Sequence, residues 1–268
     1  MKLSDEHLDT FHEQGYVVVE NFYPEEKRAQ IAAQVRMQMP PWDELDEEGR
    51  KQEHGRADFP FEEMFFNYLI LDQDLIDFVA RVLGTEEIHF RFAQNQVRFP
   101  VQVKGEDQGL HQDNVNNSLL PVNQVWEYGQ ISSWYFPEDV SPDRAPMRII
   151  PRKYGDDVSK CYYLAVPGNT MMIFNTHIWH SATVFQGDEG QRYSVNRIYG
   201  RADHYWEGLY CFTNLGTHPL FREFIGTLTA RQRQYFRFPP SGHAYYNEET
   251  LALLEEQYPG WNARGEYK

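Results

Sequence analysis

The stretch Leu110-His111-Gln112-Asp113-Asn114 places a histidine and an aspartate two residues apart. Side chains alternate faces along an extended strand, so the imidazole of His111 and the carboxylate of Asp113 point the same way. A third ligand is needed to hold a metal ion, and His180, in Ile178-Trp179-His180-Ser181-Ala182, is the best candidate. Two histidines and one carboxylate on one side of a metal leave the opposite positions open, which is the facial arrangement suited to non-haem Fe(II). The sequence therefore predicts an Fe(II) site.

His177 is the alternative third ligand. If a strand begins near Trp179, then His180 and Ala182 share one face of it, whereas His177 lies in the preceding turn. This alternation of faces, which we call parity, favours His180 as the ligand.

Arg192 and Ser194 follow on the next predicted strand and face the same side of it. A guanidinium offers two parallel N–H donors to a carboxylate, and the hydroxyl adds a third bond. At the base of an iron pocket, this pair would hold the distal carboxylate of a 2-oxo acid; the alternative for Arg192 is a surface salt bridge. Arg197 has the opposite parity and is expected on the outer face or at the mouth of the pocket.

The pattern of apolar and polar residues after Gly84 predicts a mainly β fold with flanking helices (α+β). Alternating, aromatic-rich runs are separated by glycine, proline and Asn/Asp clusters, which is typical of a β-sandwich or jelly roll. These runs are residues 88–92, 95–99, 130–136, 147–150, 170–174, 181–185 and 192–199.

Helical patterns lie on both sides of this β region. Ser4 and Gly15 bracket a short capped helix, which is followed by a β-rich run at 16–20. Apolar residues also recur at helical spacing after Pro24, from 61 to 83, from 221 to 235, and after Asn247, whereas the acidic segment 40–53 is expected to be a loop. We expect a single domain over 1–268, with helices at about 4–83, a jelly-roll core at about 86–212 and a C-terminal helical extension at about 216–268.

Composition excludes several classes of partner. The chain has 268 residues and a net charge of −15, so its field repels nucleic acid and anionic membranes. No apolar run approaches the roughly 20 residues of a membrane span, and the N-terminus lacks a signal-peptide core. Cys161 and Cys211 make neither a disulfide framework nor a thiolate metal site. We expect a soluble, cytoplasmic protein.

Four pieces of the chain resemble the phytanoyl-CoA dioxygenase family of Fe(II)/2-oxoglutarate oxygenases. The first, residues 11–22, is similar to its opening helix and strand, and Leu110-His111-Gln112-Asp113-Asn114 is similar to its His-X-Asp motif. Residues 168–174, running into Trp179-His180-Ser181, resemble the strand and turn that present its second histidine. Arg192-Tyr193-Ser194 matches its 2-oxoglutarate anchor. The resemblance covers most of the chain and implies a cupin-like double-stranded β-helix with iron near one open end.

The resemblance also implies the reaction. We expect a dioxygenase that oxidises, and most often hydroxylates, a C–H bond of a small metabolite or natural-product intermediate. In this reaction 2-oxoglutarate and O2 become succinate and CO2. Gln96 and Arg98, on the strand before the motif, are expected to line the 2-oxoglutarate pocket. Asp113 disfavours halogenation, because halogenating relatives carry a small residue there.

Residues that flank the metal strands are candidates for the substrate pocket. Basic groups there would favour a substrate with a carboxylate, phosphate or phosphonate, although surface salt bridges and core packing are the alternative explanation. The candidates are Arg148, Arg152, Lys153 and Arg201, together with Trp126, Trp134, Tyr135 and Tyr199. Residues 145–155 replace the Asn-Gly and Pro-Gly-Ser-His type stretch of the family, so substrate identity does not carry over.

Two other functions use similar residues. A cupin-like metal- or small-molecule-binding protein would keep the metal pocket without oxidation, but would not need Arg192 and Ser194. A metal hydrolase would need a general base at a defined spacing, and the sequence shows none. The sequence makes no prediction of oligomeric state.

Overall fold

The computed structural model describes residues 3–113, 130–202 and 218–267. Trp126, Cys211 and the predicted boundaries near 212 and 216 lie outside the described residues. The helices are α1 (Asp5–Gln14), α2 (Glu25–Gln38), α3 (Met64–Leu69), α4 (Gln73–Leu83), α5 (Pro219–Thr227), α6 (Ala230–Gln234), α7 (Glu248–Gln257) and α8 (Ala263–Tyr267). The strands are β1 (Tyr16–Val19), β2 (His54–Asp58), β3 (Ile88–Arg98), β4 (Ile131–Phe136), β5 (Met147–Ile149), β6 (Tyr162–Leu164), β7 (Thr170–Asn175), β8 (His180–Ala182) and β9 (Arg192–Arg201).

Two antiparallel sheets form the predicted β core. The large sheet has the order β1-β7-β4-β9-β3-β2, and the small sheet has the order β6-β5-β8. A further segment extends the small sheet beyond β8, because His111 forms a β-bridge with His180. The residues before His111 run antiparallel to the residues after His180. The Asp107 carboxylate accepts a hydrogen bond from the Val184 amide, and the Lys104 ammonium donates to the carbonyl of Gly187. The first predicted metal ligand thus lies on a strand-like segment beside the third.

Hydrophobic packing separates the two faces of the large sheet. Its outer face packs against the N-terminal and C-terminal helices in one continuous core. Its inner face packs against the small sheet through a second cluster that includes Phe136, Met147, Ile149, Met172 and Phe174. Two facing sheets with helices on the outside match the predicted jelly roll with flanking helices.

The start of the chain folds as predicted. The Ser4 side chain accepts from the His7 amide to cap α1, and Gly15 ends the helix with φ 80°. A Cβ at Gly15 would lie 2.6 Å from Cγ2 of Ile178, and the Gly15 carbonyl accepts from the Asn175 amide. This glycine therefore lets the chain pass closely beside the turn that precedes His180.

The structure divides several of the predicted elements differently. The runs 88–92 and 95–99 form one strand, β3, whose register shifts between Phe90 and Phe92. The helical patterns at 61–83 and 221–235 each comprise two helices, whereas the helix capped by Asn247 is confirmed. Segment 40–53 contains two short 3-10 turns. Strand β2 was not predicted, because its sequence HGRAD lies at a sheet edge and lacks apolar alternation.

Within the described ranges, no helix combines the length and apolar character needed to cross a membrane.

Candidate metal centre

His111, Asp113 and His180 converge as predicted. The backbones of His111 and His180 exchange two hydrogen bonds of 3.0 Å, and the Asp113 amide donates to the Thr176 carbonyl at 2.9 Å. The Asp113 carboxylate lies 3.6 Å from Nε2 of His111 and 3.5 Å from Nε2 of His180. One ligand atom from each of the three residues lies within 4.8 Å of the others. This backbone pairing brings three metal-ligand groups to one point.

Backbone carbonyls fix the orientation of both imidazoles. Nδ1 of His111 lies 3.0 Å from the carbonyl oxygen of Gly109, and Nδ1 of His180 lies 2.8 Å from that of Ile178. A carbonyl only accepts, so each Nδ1 carries the proton and each neutral ring keeps its lone pair on Nε2. Both Nε2 atoms face Asp113. Such hydrogen bonds to the second ring nitrogen are typical of metal-binding histidines.

The surroundings of Asp113 favour its ionised form. Burial raises the pKa of this carboxyl, but the neighbouring imidazole of His180, together with those of His111 and His177, lowers it by more than burial raises it, so the net pKa is below the ordinary value. An ionised carboxylate is the form that binds a divalent cation.

His177 lies in the turn between β7 and β8, as the parity argument predicted. Its backbone carbonyl accepts from the side-chain amide of Gln112. The group of three metal-ligand side chains contains His180 and not His177.

Arg192 and Ser194 lie side by side on the inner face of β9. Arg192 is 1% exposed, yet none of its three guanidinium nitrogens has a hydrogen-bond partner among the described residues, and the same holds for the Ser194 hydroxyl. The guanidinium carbon is 5.7 Å from the centroid of the Trp134 ring and 5.8 Å from that of Phe136. A buried cation without an anion is unfavourable, so this arrangement fits a carboxylate ligand.

The pKa of Arg192 records the same imbalance. Burial and the neighbouring Arg98 guanidinium lower it to about 9. Arg98 lies directly opposite Arg192 across the β3–β9 pair, and Gln96 lies opposite Ser194. Arg98 and Gln96 therefore face the same interior as Arg192 and Ser194. Arg98 also borders a cavity of about 310 Å³, whose other walls are Glu53, Phe99, Val101, Glu106, Gln108 and residues 182–185.

Several predicted substrate residues lie on the wrong face. Tyr199 has the opposite parity to Arg192, is 1% exposed, and donates to the Ile70 carbonyl at 2.5 Å beneath the helices. Arg201 shares that parity and donates to the Leu83 carbonyl at 3.0 Å. The structure therefore contradicts a substrate role for either residue.

Tyr135 and Arg197 also face the helices. The Tyr135 hydroxyl donates to Oδ1 of Asn169, and Arg197 donates to the Leu69 carbonyl at 2.9 Å. Arg197 is on the outer face of the large sheet, as its parity predicted, but it is buried and does not reach the mouth of the pocket.

The basic residues around 150 lie outside the interior. Arg148 is on the outer face of the small sheet, where it donates to the Ser181 hydroxyl at 2.7 Å and to the Gln108 carbonyl at 2.7 Å. Arg152 is exposed and its Cβ lies 3.2 Å from the position of a Cβ on Gly15. Lys153 pairs with Glu13 at 3.2 Å. Arg148 thus fixes the segment that carries His111, and the expected basic rim does not form; of the candidates, Trp134 lies on the inner face.

Three polar residues on the inner face were missed. Asn196 continues the row of Arg192 and Ser194 along β9, and it pairs with Gln94 of β3, which pairs with Asp58 of β2. The alternation that identified Arg192 and Ser194 also selects Asn196 and Gln94, whereas Asp58 lies on the strand that was not predicted.

The family model of phytanoyl-CoA dioxygenase (PhyH) matches residues 11–158. The chain belongs to the phytanoyl-CoA dioxygenase family. The match includes His111 and Asp113 but ends before His180 and Arg192. Membership in this family confirms the predicted class, a non-haem iron- and 2-oxoglutarate-dependent enzyme.

Solved structures confirm the fold. The 2-oxoglutarate-dependent epimerase SnoN from nogalamycin biosynthesis has a TM-score of 0.56 and 13% identity, covering 74% of this chain and 83% of its own. HygX from Streptomyces hygroscopicus, with nickel, 2-oxoglutarate and hygromycin B bound, has a TM-score of 0.54 and 15% identity over 75% and 88%. EctD from S. alaskensis, with 2-oxoglutarate and 5-hydroxyectoine, has a TM-score of 0.55 and 16% identity over 76% and 78%. The sequence matches none of the curated proteins with which it was compared.

Proposed function

We propose that this protein uses Fe(II), 2-oxoglutarate and O2 to oxidise a C–H bond of a small molecule. The observation that carries the proposal is the buried pair Arg192 and Ser194, which has no hydrogen-bond partner within residues 3–113, 130–202 and 218–267. The pair lies on the inner face of the sheet that packs against His180. A structural protein gains nothing from an uncompensated buried guanidinium, whereas a carboxylate-binding enzyme requires one.

Each of the three ligand residues has a defined task. His111 and His180 would present neutral Nε2 atoms, and Asp113 an ionised oxygen, to one side of Fe(II). Fe(II) and 2-oxoglutarate supply the activation of O2, with conversion of the 2-oxo acid to succinate and CO2. The Nδ1 hydrogen bonds hold both rings in place, so little reorganisation is needed when the metal binds.

Arg192 and Ser194 orient the co-substrate. The guanidinium would bind both oxygens of the distal carboxylate, and the Ser194 hydroxyl would donate a further bond. Gln96, the cross-strand partner of Ser194, lies on the same face and would contact the chain of the 2-oxo acid. Trp134 and Phe136 cover the guanidinium and exclude water, which strengthens the ionic interaction.

Hydroxylation is the outcome that we propose, with a small metabolite or natural-product intermediate as the substrate. Structural neighbours include an epimerase, a carbocyclase and complexes with hygromycin B or 5-hydroxyectoine, so this fold accommodates several outcomes on small polar molecules. We also propose that the described residues form one domain, because one core contains residues from the N-terminal helices, the large sheet and the C-terminal helices.

Oxygen-dependent conversion of 2-oxoglutarate tests the proposal. Purified protein with Fe(II) should form succinate and CO2 in equal amounts, and Asp113→Ala should abolish this conversion. Asp156→Ala is the matched control, because it removes an exposed carboxylate from a turn on the surface. Equal succinate formation by the wild type and Asp113→Ala would overturn the proposal. Absence of conversion despite bound iron and 2-oxoglutarate would instead favour the binding-protein alternative.

A further inference from the structure

A row of polar side chains crosses the inner face of the large sheet. Asp58 of β2, Gln94 of β3 and Asn196 of β9 are successive cross-strand partners. Asn196 lies two residues beyond Ser194, so alternation points its side chain into the same interior.

This row lies between the 2-oxoglutarate anchor and the level of the metal ligands. The Phe174 ring contacts the His180 ring at a centroid distance of 4.8 Å. The position of Phe174 along β7 therefore shows which part of the large sheet lies opposite the metal ligands, and we call this position the metal level. Phe174 pairs with Ser132, and Ser132 pairs with Ile198. Asn196 therefore lies on β9 between the metal level at Ile198 and the anchor at Ser194. 2-Oxoglutarate, held by Arg192 and Ser194, would run along this part of β9, and a substrate beside it would meet the row on β3 and β2.

Hydrogen bonds fix the chemistry of this row. The side-chain Nε2 of Gln96 donates to the side-chain Oε1 of Gln94. The side-chain Nε2 of Gln94 in turn donates to Oδ1 of Asp58 at 2.5 Å. This chain leaves the carbonyl oxygen of Gln96 as an acceptor. Asn196 is 4% exposed, and its Oδ1 has no hydrogen-bond partner among the described residues.

Such a wall is complementary to hydroxyl and amine groups. A carboxamide both donates and accepts, as a hydroxyl does, and a carboxylate only accepts. A carboxylate or phosphate on the substrate would bring no donor to Asn196 and would be repelled by Asp58. Arg56 offsets part of that charge, with Nε at 3.8 Å from Asp58, and both side chains are open to solvent, at 67% and 45% exposed.

The basic residues that favoured an anionic substrate do not face this interior. Arg148 is bound to Ser181 and Gln108 and lies 3.5 Å from Asp107, on the outer face of the small sheet. Arg201 is bound to the Leu83 carbonyl. Arg192 and Arg98 do face inward, but they lie at the end of the interior assigned to the co-substrate.

We propose that Asp58, Gln94 and Asn196 form the substrate-recognition wall, and that the substrate is a hydroxyl-rich or amine-bearing small molecule rather than a carboxylate or phosphate. This inference rests on the proposed function, since it needs Fe(II) at His111, Asp113 and His180. It replaces the expectation of an anionic substrate.

The test has a binding step and a turnover step. Nickel-loaded protein is titrated calorimetrically with 2-oxoglutarate, and iron-loaded protein is then screened for substrate-stimulated succinate formation. The panel contains polyols, sugars and amino sugars, together with the matched sugar acids and sugar phosphates. We expect stimulation by hydroxyl- or amine-bearing compounds and not by their anionic counterparts.

Two variants connect the result to the wall. Gln94→Leu should raise KM for the stimulating compound about tenfold or more, the range expected when one buried hydrogen-bonded group loses its partner. Asp58→Asn should raise KM by a smaller factor, because the Asp58 side chain is 45% exposed. The dissociation constant of 2-oxoglutarate should change less than about twofold. Arg56→Gln is the control on the same strand: KM for a neutral compound should stay the same, whereas KM for an anionic substrate would rise.

The outcomes separate the two proposals. Failure of the nickel-loaded wild type to bind 2-oxoglutarate would overturn the proposed function and this inference with it. If the wild type binds 2-oxoglutarate, three results would overturn the inference alone. These are stimulation only by sugar acids or phosphates, no stimulation by any donor-bearing compound, and an unchanged KM in both variants.

Discussion

Arg192 has opposite effects on stability and on binding. Its guanidinium is desolvated and has no hydrogen-bond partner in the described part of the chain, so we expect it to destabilise the protein when no anion is bound. The same group should make the carboxylate interaction strong, because little water must be displaced from it.

Replacing Arg192 with methionine should separate these effects. Arg192→Met should raise the unfolding free energy of the ligand-free protein by about 1–3 kcal/mol, since an uncompensated buried cation is removed. It should also weaken 2-oxoglutarate binding by about 100-fold or more, while metal binding is retained. Denaturant unfolding and calorimetry measure the two quantities. A variant less stable than the wild type, or one with unchanged 2-oxoglutarate affinity, would contradict this account.

Parity explains which residues could be predicted from the sequence. Alternation along single strands correctly grouped His111 with Asp113 and Arg192 with Ser194, because each pair is local. The substrate residues were chosen by proximity in sequence, which does not say which face of a sheet they occupy. Tyr199 could have been excluded by its odd spacing from Arg192. Arg148 could not, because its position depends on the pairing of β5 with β8.

At the scale of elements, the approach of α1 to the β7–β8 turn depends on Gly15. This residue has φ 80°, and a Cβ there would contact Ile178 at 2.6 Å. Gly84, at the end of α4, has a similar φ of 65° but nothing within 4 Å of a Cβ.

These two glycines make a matched pair. Gly84→Ala should lower the unfolding free energy by about 1 kcal/mol, the cost of a left-handed conformation without glycine. Gly15→Ala should cost about 2–4 kcal/mol, because a close contact adds to the same backbone cost. Metal affinity should fall only in Gly15→Ala, since the turn precedes His180. Equal losses of stability in the two variants would show that the contact with Ile178 is unimportant.

Asp72 connects α4 to α2 and to the outer face of the large sheet. Its carboxylate caps α4 at the Leu75 amide and pairs with Lys27 at 2.8 Å. Burial raises the pKa of this carboxyl. The charges of Arg197 and Lys27 and the hydrogen bonds from Lys27 and Tyr23 lower it by a larger amount, so the net pKa is below the ordinary value. Its ionisation should therefore stabilise the fold above the unfolded-state pKa of about 4, and this contribution should be lost as pH falls through the lower folded-state pKa.

An isosteric variant tests this sign. Asp72→Asn should lower the unfolding free energy at pH 7 by about 1–3 kcal/mol, and its difference from the wild type should shrink below about pH 4. Denaturant unfolding at pH 7 and pH 3 measures the difference. Asp156→Asn, at an exposed carboxylate in a turn, is the control and should behave like the wild type at pH 7. A difference that is the same at both pH values would rule out the ionised carboxylate as its source.

Predictability also differs between elements. Helix α1 and the helix capped by Asn247 were predictable because their caps and apolar stripes are local. Strand β2 depends on pairing with β3, about 40 residues away, and carries no apolar alternation. Its absence from the prediction also concealed Asp58, so an error in one element removed one member of the candidate site.

At the scale of the whole molecule, two cores have different tasks. The outer core packs the helices onto the large sheet and includes Tyr199, Phe90 and Phe236. The inner core fills the space between the sheets and includes Phe174, which contacts His180. The helices therefore support the sheet from outside, while the polar rows of β3 and β9 remain available to ligands.

The central claim is that His111, Asp113 and His180 hold Fe(II) in the same interior where Arg192 holds 2-oxoglutarate. Anaerobic addition of Fe(II) and 2-oxoglutarate to the protein, followed by visible spectroscopy, tests it most directly. We predict a metal-to-ligand charge-transfer band that requires both additions, persists in His177→Ala and disappears in His180→Ala. No band in the wild type, or a band of equal strength in His180→Ala, would contradict the account.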